Sequence, residues 1–152
     1  MRQIARMLSR RQFSIAAAAA AALPLQALAQ EQSQPWEQAV RSILGDAKPT
    51  EGKLSFDMPE IAENGNTVPF TVKIDSPMTD KDYVKAVHVI ATGNPQPGVA
   101  SFHFTPQSGR AMVSSRMRLA KTQDVIAIAE LGDSKFLMSK RTVKVTIGGC
   151  GG

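Results

Sequence analysis

From Lys53 onward the apolar residues fall at every second position, and no gap between these runs is long enough to hold a crossover helix. Leu54, Phe56 and Met58 alternate with Lys53, Ser55 and Asp57. Val68, Phe70, Val72 and Ile74 alternate with Thr67, Pro69, Thr71 and Lys73. A period of two puts alternate side chains on opposite faces of an extended strand, so each run offers one face to a core. Val84–Thr92 is apolar on both parities, which predicts a central strand buried on both sides. Val99–Phe104 is a short strand after the loop Gly93–Gly98. Ala111, Val113, Met117 and Leu119 face inward in the next run, with Arg110, Arg116 and Arg118 opposite. Val125, Ala127, Ala129 and Leu131 alternate after that.

Turn signals separate these runs: Glu63-Asn64-Gly65-Asn66, Asp75-Ser76-Pro77, Pro106–Gly109 and Gly132-Asp133. Pro69 has no amide hydrogen, so it predicts an edge position or a bulge. In the last run, Phe136 and Met138 are apolar at even positions and Val143, Val145 and Ile147 at odd ones. A bulge near Ser139–Arg141 is expected to reconcile them. The pattern predicts about seven short strands. Without helix-length crossovers the sheets cannot be mainly parallel. The expected fold is all-β, an immunoglobulin-like antiparallel sandwich, with a small closed barrel as the alternative.

Upstream, Trp36–Gly45 predicts one short helix. Pro35 stands at its start, Glu37 in its first turn, Trp36, Val40, Ile43 and Leu44 at helical spacing, and Gly45 at its end. Residues 1–29 read as an export signal. They carry Arg2, Arg6, Arg10 and Arg11 and no acid, then the seven alanines Ala16–Ala22, then Ala27-Leu28-Ala29 as a cleavage site. The apolar stretch is shorter than the ~20 residues that span a bilayer. Ser9-Arg10-Arg11-Gln12-Phe13 resembles the twin-arginine signal, whose cargo crosses folded. No phosphate loop or haem site follows, which leaves assembly with a second subunit before export. The expected organisation is a leader over 1–29, a segment with the helix over 30–52, the sandwich over 53–147 and an arm over 148–152.

Composition narrows the function classes. Removing the four leader arginines from 18 basic residues leaves 14 against 13 acidic ones, so the net charge falls from +5 to +1. No nucleic-acid surface follows from that balance, and 5% aromatics offer few platforms for stacking bases. One cysteine and two histidines exclude a disulfide framework, an iron–sulfur cluster and a multi-cysteine zinc site.

The chain ends Gly148-Gly149-Cys150-Gly151-Gly152, so four of its eleven glycines flank the single cysteine. Glycine has no Cβ and widens backbone freedom. The expectation is a flexible arm that carries an accessible thiol into a narrow cleft of another protein. The residues leave other uses open: an intermolecular disulfide, a metal ligand or an incidental thiol. Catalysis by Cys150 is not expected, because an ordinary thiol has a pKa of about 8.5 and the tail holds no base to activate it. Arg110, Arg116 and Arg118, and Lys140, Arg141 and Lys144, read as solvated faces, with the guidance of anionic ligands or partners as the alternative use. Phe102 and Phe104 read as core. His88 and His103 read as structural.

This tail after a Val-Thr-Ile strand resembles the SoxY family of sulfur carriers in thiosulfate oxidation. Met58–Pro69 and Asp75-Ser76-Pro77-Met78 are similar to that family's opening strands. The resemblance implies that sulfur intermediates ride on Cys150, that the chain itself catalyses nothing, and that no cofactor is bound. It implies a heterodimer with a SoxZ-like sandwich subunit exported alongside, and transient docking to a SoxAX-like haem enzyme, a SoxB-like hydrolase and a sulfane dehydrogenase. It implies a periplasmic location without stable membrane association. The competing readings are a periplasmic metal chaperone that uses Cys150 with methionines or a histidine, and a structural subunit whose tail cross-links.

Overall fold

The computed structural model describes residues 33–149. Its elements run α1 (Pro35–Leu44), β1 (Leu54–Asp57), β2 (Ile61–Asn64), β3 (Val68–Ile74), β4 (Val84–Ala91), β5 (Gly98–His103), β6 (Ala111–Met117), β7 (Gln123–Leu131) and β8 (Phe136–Ile147). A 3-10 turn at Pro106–Ser108 joins β5 to β6. The strands form a three-stranded sheet, β1-β3-β6, and a five-stranded sheet, β2-β8-β7-β4-β5. The immunoglobulin-like sandwich of the sequence reading stands, with eight strands where about seven were expected.

Between the sheets lies the main core. Phe56, Phe70, Val72, Val87, Val89, Leu119, Val125 and Val143 fill it, each 0–3% exposed. Phe56 and Phe70 meet edge-on with centroids 6.5 Å apart, and Phe102 leans on Phe70 at 6.4 Å. Phe102 and Phe104 are half-buried against this cluster.

The five-stranded sheet has a second apolar face. Ile90, Ile126 and Ile128 are buried under α1, whose Trp36, Ala39, Val40, Ile43 and Leu44 recur at i, i+3, i+4, i+7 and i+8. The helix begins at Pro35, with the Gln34 amide bonded to the Glu37 carboxylate (3.0 Å), and ends at Gly45, whose φ is +58°.

Two expectations are corrected by this second face. No bulge interrupts β8: its register with β7 runs unbroken from Glu130↔Phe136 to Gln123↔Val143. Phe136 and Met138 face α1, while Leu137 and Val143 face the main core. The change of parity reflects two cores and not a slipped strand. Likewise β7 is buried on both faces and does not simply alternate.

The sheets are not mainly parallel, as expected, but β2, whose second half falls in the turn signal Glu63–Asn66, pairs with β8 in parallel, Ile61↔Lys144 to Asn64↔Ile147. All other strand pairs are antiparallel. Pro69 sits in the central strand of its sheet, but β1 pairs only with Thr71–Ile74, so the proline lies past the end of its neighbour.

Candidate functional site

β8 delivers the tail. Where it ends, three remote segments meet through their backbones. The Gly65 amide donates to the Ile147 carbonyl (2.7 Å), the Leu119 amide to the Gly65 carbonyl (2.7 Å), and the Gly149 amide to the Leu119 carbonyl (2.9 Å). Gly65 and Gly149 are both buried, and Gly148 is exposed. Asn64 shapes the turn that presents Gly65, its side-chain oxygen accepting from the Asn66 amide at 2.9 Å.

The approach is too close for side chains. A Cβ on Gly65 would collide with the Leu119 carbonyl and stand 2.6 Å from the Gly149 nitrogen. A Cβ on Gly149 would stand 2.7 Å from the Gly65 carbonyl oxygen, and one on Gly148 would collide with the Ala120 carbonyl. None of these three glycines has a left-handed φ. Their requirement is space, not conformational freedom.

The segment that receives the tail is itself held by a buried polar network. Asn94 (8% exposed) donates from Nδ2 to the Arg118 carbonyl (2.9 Å) and accepts at Oδ1 from the Ala120 amide (3.0 Å) and from Gln123 Nε2 (2.9 Å). Gln123 also accepts from the Gly93 amide at 2.7 Å. The Thr122 hydroxyl oxygen accepts from the Val145 amide at 3.0 Å, tying the last turn of this segment to β8. Buried amides in which both the nitrogen and the oxygen have partners rigidify what they touch.

These contacts revise the arm. It was expected to start at Gly148; the structure seats Gly148 and Gly149 against the sandwich. Cys150, Gly151 and Gly152 lie outside the described residues, as does the leader over 1–29. The sequence singled out the tail glycines but not Gly65, Asn94 or Gln123. Asn64-Gly65-Asn66 was legible as a turn, yet nothing in its spacing pointed to a position 84 residues later.

Other flagged residues lie apart. Lys140 pairs with Asp124 at 3.2 Å, and Arg141 Nε donates to the Phe56 carbonyl at 3.0 Å. Both precede Ile147 by roughly 20 Å of extended strand; Lys144 alone of that trio is near the tail root in sequence. The Thr142 hydroxyl, donating at 2.6 Å, and then Lys140 hold the Asp124 carboxyl below its ordinary range. Arg116 and Arg118 flank a surface cleft of about 320 Å³ with Asn94 and Gln96. His88 and His103 stand edge to face at 6.4 Å, with His88 Nδ1 2.8 Å from the Ser101 hydroxyl. Burial, the largest influence, lowers the His88 pKa from its ordinary value and so favours the uncharged ring. Among the described residues no group of three or more His, Cys, Asp or Glu is placed to hold a metal ion.

The sulfur oxidation protein SoxY family matches residues 40–150, a span that includes the cysteine. Among solved structures, the sulfur carrier protein SoxY from Chlorobium limicola f thiosulfatophilum is 34% identical, over 73% of this chain and 96% of that one, with a TM-score of 0.61. A superoxide reductase (neelaredoxin) from Ignicoccus hospitalis is 14% identical over 62% of this chain and 80% of that one, with a TM-score of 0.56. A putative superoxide reductase from Thermotoga maritima is 17% identical over 67% and 96%, also at 0.56. At such identities these two share the fold alone. No curated protein matches the chain.

Proposed function

The chain belongs to the SoxY family and is a sulfur carrier of sulfur oxidation, and on that premise we propose that the carried sulfur is bound covalently to Cys150. The supporting observation is the family match itself, which runs through residue 150 and so takes in the single thiol of the chain. The family works as part of the SoxYZ complex.

The carrier is loaded with thiosulfate. An S–S bond forms between the Cys150 sulfur and the sulfane sulfur of thiosulfate; the thiol proton is released, and a haem enzyme of the SoxAX type takes the electron pair. A SoxB-type hydrolase then adds water to the terminal sulfone, sulfate leaves, and a persulfide remains on Cys150. A sulfane dehydrogenase or another acceptor removes that sulfur. Cys150 is a point of attachment and the chain is not an enzyme: an ordinary thiol is only a few per cent ionised at neutral pH, so its activation belongs to the partners. The reaction takes place in the periplasm. Ser9–Ile15 supports export through the twin-arginine route, together with a SoxZ-like subunit.

Intact mass spectrometry tests this on protein recovered from thiosulfate-grown cells. The expected masses exceed the mature chain by one sulfur atom or by one thiosulfate, and Cys150→Ser removes both while the melting temperature stays put. Recovery of only unmodified chain or disulfide-linked dimer would overturn the reading.

A further inference from the structure

We propose that Gly65 is a positioning residue of the carrier: with Leu119 it forms a backbone seat that grips Gly149 and sets the point from which Cys150 is presented. The inference rests on the carrier reading and adds a residue that the tail sequence does not contain.

Three observations carry it. The hydrogen bonds from Gly65 to Ile147, from Leu119 to Gly65 and from Gly149 to Leu119 close a continuous run through three segments far apart in sequence. Glycine is required from both sides of the contact, since a Cβ on Gly65 would approach the Gly149 nitrogen at 2.6 Å and a Cβ on Gly149 would approach the Gly65 oxygen at 2.7 Å. The floor of the seat is fixed by Asn94, which holds the residues on both sides of Leu119 through the Arg118 carbonyl and the Ala120 amide.

The consequence is geometric. An arm loose from Ile147 would carry the thiol through a sphere of roughly 10 Å radius. A chain gripped at Gly149 places the Cα of the next residue about 3.8 Å from a fixed atom. A partner active site that docks at this end of the sandwich then meets the thiol within a small volume, which raises its effective concentration there. Gly148 and Gly149 thus serve the opposite purpose to Gly151 and Gly152: the first pair allows close packing, and the second leaves room beside the sulfur for a narrow cleft.

The experiment uses the full mature chain with its partner subunit. Amide exchange is read at Gly149 and Leu119, and two rates are compared at Cys150: loading by the haem enzyme and labelling by a small maleimide. In the wild type both amides should exchange as slowly as those of β8. Gly65→Ala should release both while the β7–β8 amides stay protected. Enzymatic loading should then fall by a factor between about 10 and the ~100 that a 1 Å misplacement can cost, while maleimide labelling holds or rises. A purely structural role would lower the melting temperature and leave the ratio of the two rates unchanged. If Gly65→Ala does not fold, Gly149→Ala strikes the same seat from the tail side, at the Gly65 carbonyl, and should give the same separation. Gly151→Ala, outside the seat, should leave both amides protected. A Gly149 amide that exchanges freely in the wild type, or a released tail that loads at the wild-type rate, overturns the proposal. An adduct missing even from wild-type Cys150, with both amides protected, overturns the carrier reading instead.

Discussion

Gly148 and Gly149 and the glycines after Cys150 form one motif in the sequence, and the motif conceals a division. Sequence reasoning assigned all four to pliability, because glycine's most familiar property is its wide φ range. Gly149 is there because nothing larger fits beside the Gly65 carbonyl. That cause depends on a contact between positions remote in the chain, so no local pattern could reveal it. Asn94 is a similar case: in sequence it is one polar residue of an obvious loop, and in the fold it is a buried amide with three partners. Asn94→Ala should leave the Arg118 carbonyl, the Ala120 amide and part of Gln123 without bonds, at a cost of roughly 2–4 kcal/mol. Chemical denaturation of the full chain measures that loss, and Gly149 amide exchange should accelerate with it, because the floor of the seat moves. A loss under about 1 kcal/mol would mean that water replaces the amide freely.

At the scale of elements, the strands were legible wherever one face was apolar and the other polar. β1, β3 and β6 lie where the alternation put them, and β4 lies where a run apolar on both parities put it. The misreadings of β7 and β8 share one cause, a second apolar face. Ile126, Ile128, Phe136 and Met138 break the simple alternation because α1 covers them. The helix was legible from its own period, but its docking partner was not, and a bulge was assigned to β8 in its place. α1 has no fully buried residue, so its hold on the sheet comes from a thin stripe of half-buried side chains. Ile43→Asp puts a charge into that stripe, against a loss of about 1.5–3 kcal/mol in apolar burial. The helix should then lift while the sandwich persists. Trp36 is the only tryptophan and sits on the same face, so its fluorescence should shift to the red while the far-ultraviolet β signal remains. An unchanged emission would show that α1 stays docked on fewer contacts than the structure assigns to it.

For the whole molecule, the sandwich was legible because its strand count, turn spacing and lack of crossovers admit few other architectures. The parallel β2–β8 pair was not, since β2 has only four residues and shares its stretch with a turn signal. That small strand joins the outside of β8 and leads straight into the Gly65 turn, so the least legible element is the one that reaches the tail root. It also ends the five-stranded sheet, as β5 does at the other side, and β1 and β6 end the smaller sheet. Exposed sheet edges carry unpaired backbone groups that recruit other strands. Here Ile61 on β2 is 58% exposed and Met112 on β6 is 42% exposed, so two of the four edges add apolar surface to unpaired backbone. The chain belongs to a family that acts in the SoxYZ complex, and the export proposed above, as a folded assembly, would need such edges covered by a second subunit first. We therefore expect the mature chain, produced without its partner subunit, to form homo-oligomers or aggregates at micromolar concentration, and co-production to give a single soluble heterodimer. Sedimentation of both preparations decides it. The edge amides of the free chain should exchange quickly and those of one edge should become protected in the heterodimer. A monodisperse monomer, stable for days without the partner, would show that these edges are adequately guarded by their shortness and by the charges along them.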